Sequence, residues 1–167
     1  MNEPVAIRDL QEEDVDWLLD LNNGAVPHVN RLTRPELLIL LANVAYARLI
    51  TMGGVPSGAL IALWPGIDYA SANYRWFSER FDQFLYVDRV MIAECAKGQG
   101  LGRAFYDDLE AFGRDHGAPM IALEVNSKPP NPRSMAFHER LGFSPAGELD
   151  HDGGAKRVVL MTKPLNP

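Results

Sequence analysis

The most informative stretch of this sequence reads Lys97-Gly98-Gln99-Gly100-Leu101-Gly102-Arg103. It lies between an apolar, strand-like run and a helical pattern. Glycines at alternate positions allow backbone N–H groups to point at one centre, where a helix N-terminus adds roughly half a positive charge. Lys97 and Arg103 flank the glycines, and each can form a charge-assisted contact with a phosphate oxygen. The stretch therefore predicts a diphosphate-binding loop.

Three other interpretations of these glycines are open. A Walker loop requires Gly-Lys followed by Ser or Thr, whereas Gly102 is followed by Arg103 and Ala104, which argues against nucleotide hydrolysis. A dinucleotide-binding fingerprint requires Gly-x-Gly-x-x-Gly near the first strand, whereas the spacing here is Gly-x-Gly-x-Gly, late in the chain. The third alternative is that the glycines only form a tight strand-to-helix turn.

Apolar runs on both sides of the loop predict seven strands. Gly53-Gly54 suits a hairpin turn. The nearly continuous apolar run at 84–92 indicates a central strand covered on both faces, and a helix leads from it to the next strand, so we expect parallel pairing. The predicted strands span residues 5–8, 46–52, 55–64, 84–92, 120–125, 143–148 and 156–161.

Helix signals separate these strands. Asp9 with Glu12 has the spacing of a capping box and predicts a helix through Leu21, and Thr33 with Glu36 opens a second helix. Two more helices are predicted from Gly100 to about residue 114 and from Asn131-Pro132 to about residue 142. Residues 65–82 are predicted to form a long loop that serves as a lid or substrate wall. A largely buried face is expected on the second helix, at Leu37, Leu38, Leu41 and Val44.

Length and composition restrict the class of protein. The 167 residues suit one domain over 1–167, and 47% hydrophobic residues are enough for a sizeable core. Twenty-two acidic against 16 basic residues give a net charge of −6 without a basic stripe, so no nucleic acid partner is expected. The longest apolar stretch, 37–44, is far shorter than the roughly 20 residues of a membrane span.

Cysteine and histidine usage add two further expectations. One cysteine, Cys95, and a Met-Asn-Glu-Pro start without a signal sequence predict a cytoplasmic protein. The four histidines lack metal-ligand spacing, so no metal site is predicted.

A second motif follows the glycine loop. Asn126 is followed by Asn131-Pro132-Arg133-Ser134-Met135-Ala136-Phe137-His138-Glu139-Arg140-Leu141-Gly142-Phe143. The two motifs, in this order, resemble those of the GCN5-related N-acetyltransferase (GNAT) superfamily, although Lys97 stands where the family usually has Arg or Gln. The order of elements fits from Val5 to Met161, and the stretches 21–23, 26–27 and 73–77 look like a bacterial branch of the superfamily. The resemblance implies an α/β (α+β) fold: a mixed central β-sheet of about seven strands, with about four helices on both faces.

The resemblance also implies acetyl-CoA (coenzyme A) as the acyl donor. The strand before the loop would bind the pantetheine arm through its backbone, and an N–H near Met91 or Ile92 would stabilise the oxyanion. Asn131 has an additional role as the helix N-cap before Pro132. The residues implied to bind the cofactor are Val90, Met91, Ile92, Lys97, Gly98, Gln99, Gly100, Leu101, Gly102, Arg103, Asn126, Asn131, Ser134 and Phe137.

Three residues are the main candidates for proton transfer, and Glu94 and Glu124 are secondary ones, since the first is expected in a turn and the second in a local pair. His138 occupies the position where the family often has a tyrosine that protonates the departing thiolate, and an unperturbed pKa of about 6.5 suits that role. The alternative is a partly exposed histidine without a chemical task. Tyr86 lies near a position where some relatives carry a glutamate, and Asp88, two residues later on the same face, is the better proton acceptor. Its alternative role is an ion pair with a neighbouring arginine.

Two further groups of residues are expected to line an acceptor pocket, namely Asn22, Asn23 and His28 on one loop and Tyr74, Trp76 and Phe77 on another. The alternative is that these aromatic side chains only attach the long loop to the core. The leading hypothesis is an N-acetyltransferase that acts on a small-molecule or amino-acid-like amine by direct attack in a ternary complex. A protein N-terminus or lysine as acceptor, and a non-catalytic acyl-CoA-binding sensor, are the alternatives. Relatives often pair through sheet edges, so the resemblance also suggests a homodimer.

Overall fold

The computed structural model describes residues 3–166, so the Met1-Asn2 start used for the targeting prediction lies outside it. Within these residues the chain forms a seven-stranded mixed sheet of order β1-β2-β3-β4-β5-β7-β6 and five α-helices, which confirms the predicted fold class. The strands are β1 (Val5–Asp9), β2 (Tyr46–Met52), β3 (Val55–Leu63), β4 (Leu85–Ile92), β5 (Met120–Lys128), β6 (Ser144–His151) and β7 (Lys156–Pro164). The helices are α1 (Val15–Gly24), α2 (Arg34–Leu41), α3 (Ala72–Ser78), α4 (Leu101–Asp115) and α5 (Pro132–Arg140).

Three predicted elements need correction. The segment 65–82 is not a continuous loop, because α3 begins after Ser71, whose hydroxyl caps the helix by accepting from the Tyr74 N–H at 3.2 Å. Asp9 does not open a helix: it ends β1, and Gln11 with Asp14 forms the capping box of a 3-10 turn before α1. The capping box of Thr33 and Glu36 is confirmed at the start of α2. Leu38, which was predicted on the buried face of this helix, is 41% exposed.

The contacts group the residues into two compact units, and β4 and α4 contribute to both. Unit 1 comprises the chain up to Leu63 together with Val87–Leu109. Here β1, β2 and β3 form an antiparallel ladder, with Gly53-Gly54 at the predicted hairpin. The core of this unit includes the fully buried Leu18, Leu37, Leu49, Leu60 and Phe105.

A polar cluster in unit 1 connects α4 to β2. The Asp108 carboxylate accepts from the Tyr46 phenol at 2.7 Å and from Arg48 Nη1 at 2.6 Å, and Arg48 also bonds Asp9 at 3.0 Å. Burial and the contact with Asp108 raise the pKa of Tyr46 above its ordinary range. The cluster fixes the helix that follows the glycine loop.

Unit 2 comprises Trp64–Tyr86 and the chain from Glu110 onward. Its strands β5, β7 and β6 pair antiparallel, and the expected parallel pairing of β4 with β5 is present at Leu85↔Ile121 and Tyr86↔Ala122. Strand β6 continues through Asp150 and His151, beyond the predicted strand end at residue 148, and the turn to β7 is formed by 152–154. The predicted single domain over 1–167 stays a prediction. Across residues 3–166, no helix is both long enough and apolar enough to span a membrane.

Candidate active site

The glycine loop of unit 1 has the backbone conformation that an anion cradle requires. Gly98 and Gly100 have φ of +78° and +79°, and α4 begins at the next residue, Leu101. A Cβ added at either glycine would meet no atom within 4 Å, so the space beside the loop is open. Amides of the first helical turn have no partner within the helix and point along its dipole. A diphosphate fits this loop.

Charged side chains flank the cradle without blocking it. Lys97 Nζ lies 2.6 Å from Glu94 Oε2 in an ion pair whose side chains are 48% and 88% exposed. Such an exposed pair contributes little, so Lys97 can exchange Glu94 for a phosphate oxygen at small cost. Gln99 and Arg103 are also exposed, whereas Leu101 is buried and can contribute only through its backbone. Across residues 3–166, no cluster of three or more His, Cys, Asp or Glu side chains suits a metal ion.

The end of β4 approaches β3 closely in unit 1. A Cβ added at Gly58 would lie 2.8 Å from the Met91 carbonyl oxygen and 2.9 Å from Ile92 Cδ1. The Ala93 N–H donates to the Ser57 carbonyl at 2.8 Å. Gly58 was not predicted as a site residue, although an isolated glycine in a strand is a recognised signal of close backbone approach. It sets the position of the backbone at 91–92, where the oxyanion donor is predicted.

Asp88 forms the ion pair that was its alternative role. Its Oδ2 lies 2.6 Å from Arg89 Nε, and both side chains are 4% exposed. Arg89 Nη1 donates to Asn22 Oδ1 at 2.7 Å, and Nη2 donates to Asn30 Oδ1 at 3.0 Å. Asn30 and Arg89 were missed because their partners lie 59 to 67 residues away in sequence. The predicted acceptor residue Asn22 is buried in this network.

The neighbouring residue Asn23 closes the same loop. Its side chain donates to the Leu32 carbonyl and accepts from the Leu32 N–H, both at 3.0 Å. His28, at the exposed end of the loop, is the predicted acceptor residue that the loop presents to solvent. A role in acceptor binding stays a prediction for these residues.

Tyr86 lies in an aromatic cluster of unit 2. Its ring centroid lies 5.5 Å from that of Tyr74 and 5.9 Å from that of Phe77, and its phenol donates to Glu124 Oε2 at 2.8 Å. Tyr74 and Phe77 are fully buried, as expected if they attach the segment to the core. Glu124 on β5 is half-buried. The aromatic cluster therefore holds the buried Tyr86 hydroxyl, which in turn is hydrogen-bonded to the Glu124 carboxylate.

Trp76 is the half-buried member of the α3 aromatic residues. The Arg80 guanidinium lies 4.1 Å from its ring centroid, and a Cβ added at Gly147 would clash with Trp76 Cζ2. The backbone of β6 at Gly147 therefore packs closely against the six-membered ring of the indole. His151 Nε2 donates to Asn73 Oδ1 at 2.9 Å and holds α3 to the same strand.

Helix α5 of unit 2 carries the second motif. Asn131 caps it as predicted, because its Oδ1 accepts from the Ser134 N–H at 3.3 Å. His138 is buried, not partly exposed, and burial lowers its pKa despite the opposing hydrogen bond to the Ser134 carbonyl. That bond, 2.8 Å from Nδ1, places the proton on Nδ1, because a carbonyl oxygen only accepts. Asn126 and Phe137 are half-buried.

The structure thus divides the candidate residues between the units. Unit 1 holds the loop, the end of β4 and Asp88 with its partners, whereas unit 2 holds Tyr86, Glu124, the α3 aromatic residues and α5.

Comparison with known proteins identifies the family. The model of the acetyltransferase (GNAT) family matches residues 56–143, whereas no curated protein sequence matches. The ribosomal-protein-S18-alanine N-acetyltransferase from Escherichia coli has a similar structure, with a TM-score of 0.75, 17% identity, and 98% of this chain and 96% of that chain covered.

Two other solved structures are similar to the same extent. One is yncA, a putative acetyltransferase from Salmonella typhimurium with its cofactor acetyl-CoA, with a TM-score of 0.71, 18% identity and coverage of 97% and 94%. The other is a putative phosphinothricin N-acetyltransferase, with a TM-score of 0.75, 13% identity and coverage of 98% and 100%. The family match spans more than half of the chain, and the chain therefore belongs to the acetyltransferase (GNAT) family, which uses acetyl-CoA.

Proposed function

We propose that this protein is an N-acetyltransferase that transfers the acetyl group of acetyl-CoA to the primary amine of a small-molecule or amino-acid-like acceptor. The observation that carries the proposal is the glycine loop, with φ of +78° and +79° at Gly98 and Gly100 directly before α4. This arrangement suits the donor's diphosphate, and the family match supports the same donor. Bound acetyl-CoA supplies a thioester activated for attack by an amine.

On the donor side, the backbone does most of the binding. Amides of 98–103 bind the diphosphate, with Lys97 and Arg103 adding charge, and the backbone of Val90 and Ile92 binds the pantetheine arm. An N–H at Met91 or Ile92 stabilises the oxyanion, a contribution of about 3 kcal/mol for one donor. Gly58 supports this role because it fixes the strand end at van der Waals distance from β3.

The attacking amine must lose a proton, and two carboxylates are candidates for accepting it. Proton uptake by Asp88 would break a buried ion pair with Arg89. Uptake by Glu124, whose carboxylate accepts from the Tyr86 phenol, would leave that ion pair intact. We therefore favour the Tyr86–Glu124 pair as the proton acceptor. His138 can protonate the thiolate only in its charged form, which burial disfavours at neutral pH.

A protein N-terminus is the alternative acceptor. The similar structures include an enzyme whose name specifies a ribosomal protein and one whose name specifies a small molecule. The net charge of −6 favours a cationic amine of either kind through long-range attraction.

A thiol-release assay tests the proposal. Purified protein is incubated with acetyl-CoA and a panel of amino acids, aliphatic amines, arylalkylamines and short peptides, and products are identified by mass spectrometry. We expect acceptor-dependent CoA release with an N-acetylated product for at least one amine. Glu124→Gln should abolish most turnover. Asp88→Asn tests the other candidate base, and turnover should persist in this variant if Glu124 accepts the proton. Acetyl-CoA binding without turnover of any acceptor would instead support a non-catalytic sensor.

A further inference from the structure

Arg89 is a buried cation that is not explained by donor binding. It lies in the middle of β4, is 5% exposed, and precedes the proposed donor-binding residues Val90–Ile92. Its guanidinium contacts three side-chain oxygens, one on each of Asp88, Asn22 and Asn30. Burying a guanidinium is costly unless such partners compensate for lost hydration.

Two of the three partners of Arg89, Asn22 and Asn30, lie in one segment, residues 22–33. Asn22 is the fully buried residue at the end of α1, and its Nδ2 also donates to the Asn30 carbonyl at 3.0 Å. Asn23 bonds both backbone groups of Leu32. The segment is therefore closed on itself by two asparagines and attached to β4 by one arginine.

The exposed part of this segment is available to a ligand. Val26 is 44% exposed and His28 is also exposed, whereas Asn22, which accepts from Arg89 at the base of the segment, is fully buried. Because Arg89 lies two residues before Met91, the segment is attached to the strand that would carry the thioester carbonyl. The diphosphate loop has separate supports, namely the Asp108 cluster and the bond from Ala93 to Ser57.

We propose that Arg89 is a positioning residue: its guanidinium holds segment 22–33 against β4 and thereby determines the affinity for the acceptor amine, without contributing to acetyl-CoA affinity. The inference rests on the proposed function. Lysine cannot replace arginine here, because an ammonium lacks the planar fork that reaches several acceptors at once.

Limited trypsin digestion tests the attachment independently of turnover. Arg31 lies between the two anchored residues Asn30 and Leu32, and cleavage there requires local opening of the segment. Asn30→Ala removes the oxygen that accepts from Arg89 and should speed cleavage at Arg31 by about tenfold, as expected for one charge-assisted hydrogen bond. Asn30→Asp retains an acceptor oxygen and should be cleaved no faster than the wild type. Asn43→Ala, which loses only a local bond to Ile39, is the matched control.

Steady-state kinetics with Arg89→Lys test the consequence, using the panel amine that the wild type acetylates fastest. We expect the KM for this amine to rise by about tenfold, with the Kd for CoA measured by calorimetry unchanged. Equal losses for both ligands, or unchanged cleavage at Arg31 in Asn30→Ala, would overturn the inference while the proposed function stood. Absence of wild-type turnover with every panel member would overturn the proposed function and the acceptor half of this inference together.

Discussion

Replacement of Gly100 by alanine is the most informative perturbation of the donor loop. Gly100 has φ +79°, a region that costs an L-residue about 1–2 kcal/mol, and an added Cβ would touch nothing within 4 Å. The cost is therefore conformational rather than steric. An exposed loop can relax to a negative φ, which turns its amides away from the cradle, and CoA must then reverse that change on binding. The expected result is a 5- to 30-fold weaker binding of CoA, the factor equivalent to about 1–2 kcal/mol.

Isothermal titration calorimetry with CoA measures this effect, and Gly117→Ala provides the control. Gly117 follows α4 with φ +77°, and an added Cβ there also meets no atom within 4 Å. Gly117→Ala should lower the free energy of unfolding by about 1 kcal/mol, because it strains a helix C-cap, but should leave CoA affinity unchanged. If Gly100→Ala binds CoA as tightly as the wild type, the assignment of the cradle is wrong.

Three further substitutions test the packing around the site by urea unfolding. Because burial lowers the pKa of His138, the unfolded chain binds a proton at this residue more readily than the folded protein does, so the free energy of unfolding should fall as the pH drops below about 6.5. His138→Gln should reduce this dependence of stability on pH, and an unchanged dependence would show that His138 is not its source. Asp108→Asn should cost about 1–3 kcal/mol by weakening two partly buried hydrogen bonds, whereas Asp107→Asn, at an exposed position of the same helix, should be nearly neutral. Equal effects of the two substitutions would contradict the proposed role of Asp108 in holding α4. Gly147→Ala should cost about 1–3 kcal/mol, since its Cβ would clash with the Trp76 ring, and most of this cost should disappear in a Trp76→Leu background. Additive effects of the two substitutions would exclude the contact.

Local patterns were sufficient to predict the elements around the donor loop. The apolar run of β4, the spaced glycines and the helical periodicity after Leu101 are consecutive in sequence, and the structure places a strand, positive-φ glycines and α4 there. The N-caps of α2 and α5 were predicted for the same reason, because a cap bonds an amide only three residues away.

Features that depend on distant partners could not be predicted in this way. The aromatic stretch around Trp76 resembled a loop, because α3 is only seven residues long and is held by contacts to β6. The ion pair of Asp88 with a neighbouring arginine was one of two roles that the sequence left open, but no local pattern indicated that Arg89 would reach Asn30. Similarly, burial of His138 depends on packing against Phe143. Local sequence patterns therefore predicted the helices and strands more reliably than the contacts of individual side chains.

Main-chain amides of residues 97–103 are proposed to bind the diphosphate of acetyl-CoA. Amide hydrogen exchange of the purified protein, with and without saturating CoA, measures this directly. We predict slower exchange for amides in 97–103 and 90–92 on addition of CoA, with little change in the β6–β7 hairpin. Unchanged exchange across 97–103 in protein that calorimetry shows to be CoA-bound would place the diphosphate elsewhere and contradict the account.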